Sequence, residues 1–333
     1  MTRRRPKTTL YFLIVLAFVS LTSCQKPFHD KEERYAFVAT NVSLPYWQEA
    51  KAGFMESAHV LGVKGEFSGP STYAPDEELK TFESVAATHP AGIVVSPARP
   101  DIFKDAIAKA IQDGIPVLCA DSDAPGSRRV LFIGTDNYRA GLKSGKLIAD
   151  VLHEHGRVLL LTIPGQFNLD ERLRGVQDAL KKYPYVTFYK VYDDRGDARV
   201  AEQEVSQVLE SKDNVTGILC LEASGGPGAA KALARFEMSG KVPIVAMDAN
   251  PETLDGISRG VIAATIAQKP YTMGFYGLRF LDDLHHNSVH EFTDWRTAPA
   301  SPLPASLDTG TTVVDAKNVD DFRNALAAHA GAS

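Results

Sequence analysis

The sequence predicts an α/β protein of two similar lobes, each a doubly wound parallel sheet with flanking helices. Short apolar runs rich in branched residues alternate with longer segments of helical period, the pattern of repeated β-α-β units. The series runs through "VLFIGT" and then restarts at "RVLLLTIP". A chain of 333 residues, 44% of them hydrophobic, is also long enough for two ordinary cores.

The first residues stand apart. Arg3, Arg4, Arg5 and Lys7 precede an apolar run from Leu10 to Leu21, the pattern of a secretory signal peptide, and the run is shorter than the roughly 20 residues a membrane span needs. It ends "LTSC", which resembles the bacterial lipobox. Residues 1–23 are therefore expected to be a lipoprotein signal peptide and Cys24 the lipidated residue, with several acyl chains giving a durable anchor. Gln25 favours the outer membrane in a two-membrane bacterium. Residues 24–33 read as a polar tether.

Strands are expected at "YAFVAT", "AGIVVS", "IPVLCAD" and "VLFIGT", alternating with the helices "YWQEAKAGFMESAHVLG", "PDEELKTFESVAATH" and "PDIFKDAIAKAIQDG". Prolines open two of these helices, where a missing N–H costs least. The second series is "RVLLLTIP", "ERLRGVQDALKKYP", "TFYKVYD", "ARVAEQEVSQVLES", "GILCLE", "PGAAKALARFEMSG", "PIVAMDA", "PETLDGISRG" and "IAATIAQ". The remainder, rich in Pro, Ser and Thr with one strand-like run at "GTTVVDA", reads as a strap. Cys119 and Cys220 lie inside apolar runs of strand length and are expected as buried free thiols. Without the leader, 32 basic residues face 41 acidic ones, a net charge of −9, which argues against nucleic acid.

In an open parallel sheet, ligands bind beyond the carboxyl ends of the strands. Tyr46 and Trp47 follow the first strand, Asp121 ends "IPVLCAD", Arg172 opens a helix, Glu222 ends "GILCLE", Asp248 ends "PIVAMD" and Gln268 ends "IAATIAQ". Each has a plainer reading. Tyr46 and Trp47 could pack a helix start on the sheet, Asp121 and Asp248 could cap helices, and Arg172 could pair with Asp170 or Glu171 at the surface.

With these residues in view, the chain resembles the periplasmic sugar-binding proteins of the ribose-binding type, the ligand-binding components of ABC importers, over nearly all of its mature length. The most specific match is "AATIAQKPYTMGFYG", Ala263 to Gly277; "SLPYWQEAKAGF", "IPVLCADSDA", "RLRGV" and "VAMDANPE" are weaker and collinear. The resemblance implies the type I periplasmic binding protein fold with a multi-strand hinge. The first lobe would take residues 34–135 and 269–295, the second 136–268 and 296–331. It also implies that Tyr46 and Trp47 stack on a sugar while Asp121, Ser122, Arg172, Glu222, Asp248 and Gln268 take its hydroxyls. Three positions depart from the family's pattern: Leu44 stands where Asn is common, Ser122 where ribose binders have Arg, and Glu222 where they have Asn. The inferred site is more acidic for it, which favours a neutral sugar, a polyol or a cationic ligand over a phosphorylated or carboxylated sugar.

Other motifs carry less. "SGGPGAAKAL" lacks the phosphate-loop spacing and reads as a helix start with close backbone packing. "HEH" (His153–His155) and "HHN" (His285–Asn287) show no further ligand at metal-site spacing, so they read as solvated helix ends and no metal is expected. No serine sits in a nucleophile elbow. The expected protein is a monomeric receptor, not an enzyme, without a cofactor, that passes its ligand to a permease and ATPase. The alternatives are a sensor for a chemoreceptor or kinase, and a receptor for a nucleoside or signalling molecule.

Overall fold

Runs of apolar residues buried on both faces become parallel strands, and the helices between them cover those faces. The computed structural model describes residues 28–30, 32–286 and 303–330. In chain order these form β1 (Arg34–Val38), α1 (Pro45–Leu61), β2 (Lys64–Ser68), α2 (Pro75–Ala86), β3 (Gly92–Val95), α3 (Pro100–Gln112), β4 (Val117–Ala120) and β5 (Phe132–Gly134). Then come α4 (Asn137–Val151), β6 (Gly156–Thr162), α5 (Phe167–Leu180), β7 (Val186–Asp193), α6 (Ala198–Glu210), β8 (Gly217–Cys220) and α7 (Gly225–Arg235). The chain closes with β9 (Ile244–Met247), α8 (Pro251–Ser258), β10 (Ala264–Ala267), α9 (Pro270–His285), β11 (Ser306–Asp308), β12 (Thr312–Asp315) and α10 (Val319–Ala330).

Two six-stranded sheets result, ordered β11-β5-β4-β3-β1-β2 and β12-β10-β9-β8-β6-β7. Every pairing is parallel except β12 against β10. In the first lobe α1 and α9 pack on one face and α2 and α3 on the other; in the second, α4 and α5 oppose α6, α7 and α8. Cys119 and Cys220 are buried thiols outside any disulfide, as expected. Among the described residues no helix is long and apolar enough to cross a membrane. The signal peptide and Cys24 lie outside them.

Five helices, α1, α2, α3, α8 and α9, have proline as their first residue. One pair in each lobe is brought close by reciprocal glycines. A Cβ on Gly53 of α1 would fall 2.0 Å from the carbonyl oxygen of Tyr271, and one on Gly274 of α9 2.1 Å from that of Ala50. In the second lobe Gly141 of α4 would meet the carbonyl oxygen of Arg172 at 2.0 Å, and Gly175 of α5 that of Tyr138 at 2.2 Å. The two lobes thus repeat a packing device as well as a topology.

The chain passes between the sheets after β5, after β10 and after β11. These crossovers are bonded to each other. Thr135 Oγ1 donates to Gln268 Oε1 (2.7 Å), Thr309 N to the Gly134 carbonyl (2.7 Å), and Asp136 N to Asp308 Oδ1 (3.0 Å). The strap therefore needs correcting. Residues 296–331 were expected to belong wholly to the second lobe, but Ser306–Asp308 pairs with β5 in the first sheet before the chain crosses to β12. Three paired residues suffice to fasten the strap there, and such a short strand has no readable period.

Candidate functional site

The carboxyl ends of both sheets face each other across a cavity of about 50 Å³, lined from the first lobe by Leu44, Tyr46, Trp47 and Asp121 and from the second by Arg172, Glu222 and Asp248, with Gln268 at the hinge. Two of the lining carboxylates occupy equivalent corners. Asp121 follows β4 with φ of 63°, and Asp248 follows β9 with φ of 68°. Left-handed backbone is uncommon outside glycine and costs local strain, which Asp tolerates better than most residues. Each corner turns the chain at the sheet edge and leaves its carboxylate in the cavity wall.

Tyr46 and Trp47 begin α1, positioned by Pro45 at the helix start. Tyr46 Oη donates to Asp121 Oδ1 (2.6 Å), and its ring meets Trp47 edge-on at 5.1 Å. Trp47 is 4% exposed and packs edge-on against Phe37 at 6.1 Å. The packing and cavity readings of this pair are therefore compatible: the same rings close the core of the first lobe and line the cavity.

Arg172 is the hub. It is 1% exposed, so surface pairing with Asp170 or Glu171 does not occur. Nε donates to Asn137 Oδ1 (2.8 Å), Nη1 to the Leu221 carbonyl (2.7 Å) and Nη2 to Gln268 Oε1 (2.8 Å). A guanidinium has five N–H groups in a fixed fork, so two remain for the cavity. Gln268 passes the connection on, donating through Nε2 to Asp248 Oδ1 (2.8 Å) and accepting from Thr135. Across the cleft Asn168 Nδ2 donates to Asp121 Oδ2 (3.0 Å), a direct bond between lobes.

The electrostatics are dominated by buried acids around one buried cation. Burial pushes the Asp121 carboxyl up, and Arg172 together with the Tyr46 hydroxyl offsets part of the rise. Burial likewise pushes Asp248 up to about 7, against the pull of Arg172 and Gln268. Tyr46 is held well above its ordinary range by burial and by Asp121, so it stays a neutral donor. Glu222 accepts from the Ser224 and Gly225 amides and so caps the start of α7. Asp194, buried beside it, is raised well above the carboxylate range by burial and by Glu222.

Of the eight residues expected in the site, seven line the cavity. Ser122 does not. With Asp121 in left-handed backbone, the Ser122 amide turns back to the Ala120 carbonyl (2.7 Å), and the residue is fully buried away from the cavity. Sequence reasoning missed Asn137, Asn168 and Thr135, short polar residues at helix starts and hinge strands that look like ordinary caps. It also missed Asp194, at the end of "VYDD". The glycine-rich "SGGPG" does open a closely packed helix: a Cβ on Gly228 would lie 2.4 Å from the Ala198 carbonyl oxygen.

Residues 35–286 match a protein family described as "Periplasmic binding protein domain". The chain is 28% identical over 259 residues to a D-allose-binding periplasmic protein of Escherichia coli, covering 75% of this chain and 83% of that one. Its fold matches a sugar-binding protein of a sugar ABC transporter from Bacillus halodurans with a TM-score of 0.77 at 35% identity, covering 87% of this chain and 100% of that one. It also matches the arabinose-binding protein AraP of Geobacillus stearothermophilus with a TM-score of 0.73 at 37% identity, covering 87% and 99%. Two parallel-sheet lobes, three bonded crossovers and a polar cavity at the facing strand ends accord with that match, and the chain belongs to the periplasmic binding protein domain family.

Proposed function

We propose that the protein is an extracytoplasmic receptor for a neutral monosaccharide or small polyol, held between the lobes and delivered to an ABC importer. The observation that carries this reading is the composition of the cavity wall: two aromatic rings on one lobe face an arginine fork and carboxylates on the other. A sugar ring has apolar C–H faces and a polar rim. Trp47 and Tyr46 would remove a face from water, while Arg172, Asp121, Asp248 and Glu222 take the hydroxyls. The similar allose- and arabinose-binding proteins point the same way. A ligand touching both lobes favours the closed arrangement, the state a permease and ATPase would read.

The test is thermal unfolding of the purified protein against pentoses, hexoses, polyols and nucleosides. A ligand at 100 times its Kd adds about 2.7 kcal/mol and raises the midpoint by a few degrees. Trp47→Ala is expected to weaken the sugar that responds by more than about 1 kcal/mol, roughly fivefold or more, with the lobe still folded. A response confined to nucleosides, or unchanged sugar affinity in the variant, overturns the sugar reading.

We also propose that the mature chain begins at lipidated Cys24 and is held at a membrane surface as a monomer. Cys24→Ser should move the protein from the membrane to the soluble fraction; unchanged fractionation removes the anchor.

A further inference from the structure

At the amino edge of the first sheet, the end opposite the cleft, four side chains from distant parts of the chain converge. His29 Nε2 lies 3.0 Å from Asp282 Oδ1. His286 Nε2 lies 3.0 Å from Glu33 Oε1 and 3.5 Å from Asp282 Oδ1. One ligand atom from each of the four residues falls within 4.8 Å of all the others. Asp282 and His286 stand one turn apart at the end of α9, Glu33 immediately precedes β1, and His29 arrives from the chain leading into the lobe.

We propose that His29, Glu33, Asp282 and His286 form a binding site for a divalent transition metal, with zinc the best match. Zinc bonds nitrogen and oxygen at about 2.0–2.2 Å in tetrahedral sites, which sets its ligand atoms roughly 3.3 Å apart. The close separations here, 3.0 and 3.5 Å, bracket that value, so an ion could enter with small side-chain movements. Two imidazoles with two carboxylates form a borderline donor set that suits zinc, whereas magnesium and calcium seek oxygen alone. Two carboxylates also balance the charge of the ion, which matters where their side chains are only 3% and 8% exposed.

The surroundings fit as well. Tyr35 Oη donates its one proton to Glu33 Oε1 (2.7 Å) and lies 3.2 Å from Asp282 Oδ1, an outer partner of the kind found around metal ligands. Phe28 packs against both imidazoles, with centroids 4.8 and 4.4 Å away, and shields that side. His286 is therefore not the solvated helix end that "HHN" suggests. Apart from Asp282, one turn earlier, its partner Glu33 is 253 residues away, so no local spacing could reveal the cluster. A bound ion would cross-link the segment entering the first lobe to the helix that returns to it, coupling metal binding to stability.

The test uses the full purified chain, stripped with EDTA and titrated with zinc chloride, with magnesium chloride as control and cobalt(II) as a spectroscopic probe. The expected result is one equivalent of zinc bound, a midpoint raised by several degrees, no response to magnesium, and the visible absorption of tetrahedral cobalt. His29→Ala and His286→Ala should each weaken zinc by at least about 100-fold while sugar binding in the distant cleft stays unchanged. His29 lies ahead of the lobe's first strand, so its variant remains informative if His286→Ala fails to fold. Absence of stoichiometric zinc binding, or zinc affinity retained in His29→Ala, overturns the site. So does a cluster that only hydrogen-bonds: His29→Ala would then lower the midpoint equally with and without zinc.

Discussion

Arg172→Met is expected to abolish ligand binding and to destabilise the second lobe by about 3–5 kcal/mol, the usual cost of removing one partner from a buried charged network. Methionine fills the space but donates nothing. Asn137 Oδ1, the Leu221 carbonyl and Gln268 Oε1 each lose a donor, and Asp121 and Asp248 lose the cation whose field lowers both. The pH dependence identifies the cause. Asp248 has an ordinary value of 3.8 and stands at about 7 in the fold, so the folded state holds a proton that the unfolded chain releases between those values. Native stability from this group is therefore undiminished below about pH 4, falls as pH rises toward 7 by up to about 1.4 kcal/mol per unit, and then levels off. Without Arg172 both aspartates rise further, so the decline continues past pH 7, and the variant's deficit is smallest in acid and largest in alkali. Arg172→Lys separates charge from geometry. It keeps the cation but cannot serve three acceptors and a ligand from a fork, so it should recover part of the stability and little of the binding. Chemical denaturation from pH 5 to 9 gives the answer; a pH-independent deficit in Arg172→Met would mean that lost packing alone is responsible.

The parts of this site legible in the sequence were those written into strands. Parallel strands buried on both faces are continuous apolar runs, so the polar residue that ends each run marks the sheet's carboxyl edge. Asp121, Glu222, Asp248 and Gln268 were found that way. Two of the edge strands, β2 and β11, carry no such run, although the edge strands β7 and β12 do. β2 reads "KGEFS", with alternate residues facing solvent, and β11 is three residues in a Ser- and Pro-rich segment. Ser122 was misplaced because the sequence does not show that Asp121 adopts left-handed backbone, which turns the next residue out of the cavity wall. The partners of Arg172 and the residues around His286 were hidden for a different reason. They are assembled by tertiary contacts between elements 35 to more than 250 residues apart, and no spacing rule spans that.

Gly141→Ala is the second large effect, and it acts on the cleft without touching the ligand. Its new Cβ would lie 2.0 Å from the Arg172 carbonyl oxygen, 2.8 Å from the carbonyl carbon and 2.9 Å from the Cα. All three atoms are backbone, so no rotamer change relieves the clash, and α4 must move away from α5 by an ångström or more. Overpacking a close-packed interface costs about 1–3 kcal/mol, and a backbone-to-backbone contact belongs at the upper end. The movement has a direction. α5 carries Arg172 and Asn168, while α4 starts with Asn137, the acceptor that orients the guanidinium, so separating the helices pulls the Nε–Asn137 bond apart and tilts the fork out of the cavity. Sugar affinity should fall at least tenfold, a loss of about 1.4 kcal/mol. Gly126→Ala provides the comparison: nothing lies within 4 Å of its added Cβ and its backbone is not left-handed, so stability should change by no more than about 0.5 kcal/mol. The reciprocal contact in the first lobe separates the two consequences. Gly274→Ala drives a Cβ to 2.1 Å from the Ala50 carbonyl oxygen and should destabilise just as strongly, yet it leaves the Arg172 fork in place. Because α1 carries Tyr46 and Trp47, an equal loss in Gly274→Ala would mean that affinity follows helix packing in either lobe; if only Gly141→Ala lowers affinity, the close approach of α4 and α5 holds the arginine in its binding geometry.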